Sequence, residues 1–284
     1  MLLLIDCNHL CYRAHFTTGG MTYRDTPTGV IYGFLQQIFR VISNVPVTEI
    51  AFIWDSKKSL RIQRYPYYKC RQKEQRDPKE IENMYFQFDE LREIIIPKLG
   101  FKNNFIQEGY EADDIIGKIC YHLNAKYTQN ERILIVSGDD DLLQLLDTGQ
   151  VYMYKRKGIR FYSSTHFSHE YKIPAQDWAA VKSIAGCVSD TVPGVKGIGE
   201  KTAIRYLTGQ LSPKTKAYQC IKNSKQVIEK TRWLVQLPLP GTEMPNIRKS
   251  TFQTKEFQKI CTDYGFKKWI YNPSIFNEWE MLLK

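Results

Sequence analysis

The chain has 284 residues, seven cysteines and a formal net charge of +10, long enough to bury a full hydrophobic core without covalent staples. The cysteines (Cys7, Cys11, Cys70, Cys120, Cys187, Cys220, Cys261) are odd in number, scattered and without C-x-x-C spacing, which argues against a disulfide framework or a zinc site and for a reducing, cytoplasmic setting. The opening MLLLIDCNH is apolar for only five residues before an aspartate, too short for a signal segment or a membrane span.

That opening reads instead as a buried first strand, 2–5, ending at Asp6. Residues 28–41 (TGVIYGFLQQIFRV) repeat apolar side chains at three and four, predicting a helix. A second strand, 50–54, ends at Asp55. Residues 57–79 then carry nine Lys/Arg against only Glu74 and Asp77, interleaved with Tyr65, Tyr67 and Tyr68, a mixture that neutralises phosphates and stacks bases or serves equally as a solvated face. Helical periodicity returns over 78–96, and GYEADDIIG opens another helix over 112–123 with Glu111, Asp113 and Asp114 at its start. A third strand, 133–136, leads into SGDDD, with Asp139 and Asp141. Unbroken apolar strands alternating with amphipathic helices predict an α/β core around a mainly parallel sheet. From about residue 174 strand signals fade, so the expected division is a core over 1–173, with a basic insert at about 56–80, and a helical region over 174–284.

Three strands end in aspartate, and the carboxyl ends of parallel strands gather at one sheet edge. Singly, each acid is an ordinary helix cap. Together they repel unless a cation sits among them. With oxygen ligands and no His or Cys at ligand spacing, the set selects Mg²⁺ or Mn²⁺, in the manner of two-metal phosphodiester hydrolysis.

The stretch SIAGCVSDTVPGVKGIGEKTA is neither a phosphate loop, because Glu200 separates Gly199 from Lys201, nor a dinucleotide fingerprint, which needs a third glycine and a preceding strand. What remains is a Pro-Gly turn at Gly194 and a Gly197-Ile198-Gly199 turn opening a helix over 200–207. Its outward amides beside Lys196, Lys201 and Thr202 suit a nucleic-acid phosphate.

The blocks DCNHLCYRAHF, TPTGVIYGF, IWD, SLRIQRYPYYK, GYEADDIIG, SGDDDLLQLL and SDTVPGVKGIGEKTA, in that order, resemble the structure-specific 5′ nucleases: flap endonucleases and the 5′-nuclease domain of bacterial DNA polymerase I. The resemblance implies a PIN-like twisted sheet, a helical arch for the basic insert, and a helix-hairpin-helix-type element at about 183–208. It places Asp6, Asp55, Glu111, Asp113, Asp114 and Asp139 in a first metal cluster and Asp141 and Asp190 in a second. Lys69 and Arg61 match catalytic arch cations, Tyr65 and Arg71 lie in the DNA-facing arch, and Tyr12 and Arg13 match the family's Y-R pair. Where the family writes G-D-x-x-D, this chain has Gly186-Cys187-Val188-Ser189-Asp190, so a second ion should be held more weakly: a thiol is a poor Mg²⁺ ligand.

The implied activity is that of a freestanding, monomeric 5′-3′ exonuclease and flap endonuclease of bacterial or phage type, acting on flaps, nicks or junctions in replication or repair. RNA–DNA hybrids stay open as substrates. The alternatives are a junction-binding protein impaired in cleavage, and a PIN-type ribonuclease that would not need the hairpin element.

Overall fold

Alternation along the first strand sets the layers. Every residue of β1 (Leu2–Asp6) is buried; Leu3 and Ile5 enter one core and Leu2 and Leu4 the other, as a strand covered on both faces requires. The computed structural model describes residues 1–70, 77–126 and 132–283.

Directly after β1, α1 (Cys7–Thr18) is capped by Asp6, which accepts from the His9 N–H. A ribbon of β2 (Thr22–Tyr23) and β3 (Thr26–Pro27) leads to α2 (Gly29–Ile42), and β4 (Glu49–Ile53) pairs parallel with β1, Leu2 opposite Glu49 and Asp6 opposite Ile53. The basic insert opens with α3 (Leu60–Arg64) and ends at α4 (Pro78–Glu90), capped by Asp77, which continues through a π-helical turn at Leu91–Ile95 into α5 (Ile96–Lys98). With β5 (Asn104–Phe105), α6 (Ala112–Lys126), β6 (Ile133–Val136), β7 (Val151–Arg156) and β8 (Ile159–Tyr162), the sheet has the order β5-β4-β1-β6-β7-β8. It is parallel except for the β7–β8 hairpin at one edge.

Next come α7 (Ser164–Tyr171) and α8 (Trp178–Ala185), then β9 (Gly186–Cys187) paired antiparallel with β10 (Val192–Pro193), and then α9 (Glu200–Leu207). The chain continues through α10 (Lys216–Asn223), α11 (Lys225–Val235), α12 (Thr254–Asp263), α13 (Lys267–Ile270) and α14 (Ser274–Leu282). Among the described residues no helix is long and apolar enough to cross a membrane.

The core does not divide where the sequence suggested. Residues of α8 to α10 join α6 on one sheet face, whereas Phe257, Trp269 and Trp279 of the last three helices are buried with α1 and α2 on the other. Trp279 stacks on Phe39 at 5.6 Å and Trp269 lies 5.0 Å from Tyr32. The expected 174–284 region is therefore two sets of helices serving two cores. Aromatic burial of this kind outweighs chain order in deciding where helices go.

Candidate active site

Each acid at the sheet edge is placed by the element it ends or begins. Asp6 closes β1, accepts from His9 N–H at 3.0 Å and receives the Ser137 hydroxyl at 2.7 Å. Ser137 in turn accepts from the Asp139 N–H at 3.1 Å, so one hydroxyl braces the acids after β1 and β6. Asp55, just past β4, accepts from the Ala112 N–H at 2.8 Å, tying it to the start of α6. Asp139 caps the turn after β6 by accepting from Asp141 N–H at 2.8 Å. Of the three consecutive aspartates, Asp140 points elsewhere and pairs with Arg156.

Burial and mutual repulsion mark the cluster. Burial first, then Asp55, pushes Asp6 up to about 7. Asp113 is raised well above the ordinary carboxylate value by burial and then by Asp139 and Asp6, and Asp55 is raised chiefly by burial. Carboxylates held this way favour protons or a cation.

Two expected ligands have other work. Asp114 is 0 % exposed and both its oxygens are taken: Arg61 grips them at 2.5 and 2.8 Å, and the Leu239 and Glu111 N–H groups donate at 2.8 and 3.2 Å. These contacts fix Asp114 in the interior at the start of α6. Arg61 is buried as well, its fork on Asp114 and its Nε donating to the Leu234 carbonyl at 2.8 Å, so that it joins α3 to α6 and to the end of α11. Glu111 accepts from Ser59, Tyr68 and Lys69. Although burial opposes it, the charges of Lys69 and Arg61 hold Glu111 below the usual carboxylate range.

Lys69 lies between the two acid groups. Its Nζ is 3.0 Å from Glu111 Oε2, and its backbone N–H donates to the Asp190 carbonyl at 2.7 Å. Burial alone would lower its pKa, but Glu111, Asp55 and Asp190 raise it well above the ordinary lysine value, so it is a fixed cation. Tyr65 packs on Trp233 at 5.7 Å with the Lys230 ammonium 4.6 Å over its ring, so the arch base is anchored to α11. Arg71 lies outside the described residues.

The second group gathers where expected. Ligand atoms of Asp141, Cys187 and Asp190 lie within 4.8 Å of one another. Burial and then Asp139 push Asp141 up to about 7, and its Oδ1 is buried without a hydrogen-bond partner, an orphan oxygen that a cation would satisfy. Burial and then Asp141 raise the Cys187 thiol; its Sγ lies 2.9 Å from Ser189 Oγ and 3.8 Å from Asp190 Oδ2. Sequence reading missed Lys182, a lysine inside the otherwise apolar AAVKSIA helix, which was the available signal. It is buried, 3.0 Å from Glu200 and 4.0 Å from Asp141 Oδ1. Ser137 was also missed, being unremarkable in sequence, and Tyr68, read there as one of the tyrosines interleaved with the basic run, is buried and donates to Glu111.

In the hairpin element Gly194 permits a close approach of two chain segments: a Cβ there would meet the Ala185 backbone at 2.2 Å. Gly197 has φ 76° and, like Gly199, opens onto free space. With exposed Lys196 and Lys201, the half-buried Thr202 and the start of α9, these glycines line one face of the chain.

A mainly parallel sheet that gathers acids at one edge, beside a fixed lysine and a basic insert, defines a nuclease. The chain belongs to the 5′-3′ exonuclease family, whose N-terminal resolvase-like domain model matches residues 1–172. It is 32% identical over 222 residues to DNA polymerase I of Mycobacterium bovis, covering 72% of this chain and 22% of that protein, so it spans about a fifth of the polymerase's length. Similarity to a 5′-3′ exonuclease of Buchnera aphidicola extends over 270 residues at 29% identity, 92% of this chain and 86% of the relative. The bacteriophage T5 D15 flap endonuclease, in a complex with DNA and metal ions, shares the fold at a TM-score of 0.68 and 20% identity, covering 98% of this chain and 99% of that one.

Proposed function

We propose that this chain is a divalent-metal-dependent 5′ nuclease hydrolysing phosphodiester bonds near the 5′ end of flapped, nicked or branched DNA. The observation that carries the reading is the convergence of Asp6, Asp55, Asp113 and Asp139 with Asp141 and Asp190 at one sheet edge, where burial and mutual repulsion raise several of them above the ordinary carboxylate range. Mg²⁺ fits the oxygen donors best, as two ions: one on the first four acids, a second and weaker one on Asp141 and Asp190 beside Cys187. Bound ions supply activation of water and neutralisation of charge at the reacting phosphate.

The chain supplies the rest. Ser137 fixes Asp6 and Asp139 in register. Glu111 and Tyr68 aim Lys69 at the edge, where a fixed ammonium stabilises charge developing on a phosphate. The open glycines and lysines of the hairpin face suit the duplex backbone.

The test is Mg²⁺-dependent digestion of a labelled 5′-flap duplex by wild type, Asp55→Ala and Asp113→Ala. Both variants should lose cleavage while binding the flap within about tenfold of wild type. Cleavage retained in both removes the ligand assignment; a wild type that binds flaps yet cuts at no metal concentration makes the protein a junction binder, and equal cutting of single-stranded RNA makes it a ribonuclease.

A further inference from the structure

On the far side of the Asp6–Ser137–Asp139 brace from the arch lies a second cleft of about 340 Å³, between α1, α2, the loop after β6 and β7. Its polar lining is cationic. His9 and Arg13 stand one turn apart on α1, Arg40 sits in the last turn of α2, and Lys155 comes from β7. Arg13, Arg40 and Lys155 are exposed, and among the described residues none forms an ion pair with a carboxylate. The acid acting on His9 is Asp139, which belongs to the metal cluster.

Lys155 is also ordered by its neighbour: its ammonium lies 5.5 Å over the ring of Tyr154, which lines the same cleft, a cation–π contact that leaves the charge without a carboxylate. Three cations without a carboxylate partner around one cleft suit a compact anion with several acceptor oxygens.

We infer that this cleft is a phosphate subsite, in which Arg40 and Lys155, with Arg13, receive one phosphate group of the nucleic-acid substrate. The inference rests on the nuclease reading and adds a contact separate from the arch and the hairpin. The same chemistry could come from an internal phosphodiester or from a 5′-terminal monophosphate.

Binding of a 5′-flap duplex, with and without a 5′-phosphate, is measured by fluorescence anisotropy in Ca²⁺ across a salt series, for wild type, Arg40→Ala/Lys155→Ala and Tyr154→Phe. The double variant should bind about tenfold or more weakly and lose about 0.9 from the slope of log K against log salt, the value for one phosphate contact removed. Its melting temperature and its single-turnover rate at saturating enzyme should stay at wild-type values. Tyr154→Phe keeps the ring under Lys155 and removes only a hydroxyl without accessible surface, so it should bind as wild type. Loss seen with both duplexes assigns an internal phosphodiester; loss confined to the phosphorylated one assigns the terminal phosphate. A double variant with wild-type affinity and slope on both duplexes overturns the inference and leaves the nuclease reading standing, whereas a wild type that fails to bind flaps at all overturns that reading first.

Discussion

Arg61→Met tests whether the buried arginine is a strut or a catalytic cation. Arg61 is 2 % exposed and its partner Asp114 0 %. Removing the fork leaves the Asp114 carboxylate with only the Leu239 and Glu111 N–H groups, and strips the Leu234 carbonyl of its donor. Breaking a buried pair on one side costs roughly 3–5 kcal/mol, and at about 2 °C per kcal/mol, the lower end for a chain this long, the melting temperature should fall by roughly 6–10 °C. Arg61→Met/Asp114→Leu removes the stranded charge along with the pair and should recover at least about half of the loss. Calorimetry gives the stabilities, and single-turnover flap cleavage well below the melting temperature gives the chemistry, which should stay within a few-fold in the double variant. An unchanged melting temperature for Arg61→Met with cleavage reduced by about a hundredfold would refute the strut and return Arg61 to the phosphate.

Lys69→Ala should slow the single-turnover step by at least about tenfold, more than one exposed phosphate contact costs in affinity; a pure binding defect would make Lys69 a positioning residue. In metal-free protein, stability should fall as pH rises from about 4 to beyond 7. Asp6 and Asp141, both pushed up to about 7, together with Asp55 and Asp113, keep protons in the native state that the unfolded chain has already released. His9, lowered by burial, works the opposite way through one proton and is outnumbered. Melting in EDTA from pH 5 to 8 checks this, with Mg²⁺ restoring more at pH 8; a melting temperature that rises across that window would contradict it. Cys187→Asp should lower the Mg²⁺ concentration for half-maximal cleavage, raise equilibrium Mn²⁺ affinity and narrow the advantage of Mn²⁺ over Mg²⁺. Unchanged metal affinity with a lower melting temperature would assign Cys187 to packing alone.

The strands that carry the site were legible because they are buried on both faces, and an unbroken apolar run ending in aspartate has few other readings. The three expected strands appear as Leu2–Asp6, Glu49–Ile53 and Ile133–Val136, and the helix expected over 28–41 as Gly29–Ile42. The fates of Asp113 and Asp114 were not legible. Adjacent helix positions point about 100° apart, so one faces the sheet edge and the other the interior, and only the tertiary position of Arg61 says which. Arg61 was likewise hidden among nine basic residues, eight of which give no hint that the ninth is buried. The β7–β8 hairpin was missed because VYMYKRKGIRFY carries polar residues on its exposed side, unlike the central strands. The return of α12 to α14 onto the first core depends on aromatic contacts more than two hundred residues apart in sequence, which no local pattern encodes.

The base of the arch, the loop that carries Asp190 and the end of α11 are one small core. Tyr68, Cys187, Val192, Leu234 and Val235 are buried together, with Tyr65 and Trp233 against them. Tyr68 reaches from that core to Glu111, and Lys69 joins Glu111 through its ammonium and Asp190 through its backbone. Order in the arch base and order in the second acid group are therefore coupled through shared contacts. This gives Cys187 a double burden: its side chain belongs to an apolar cluster and also faces Asp141 and Asp190. A carboxylate there would gain a cation and lose packing; a thiol keeps the packing and leaves the ammonium of Lys182, 4.0 Å from Asp141, as the nearby positive charge on that side. Cys187→Asp therefore tests metal affinity and cohesion at one point, where the arch base meets the loop of Asp190.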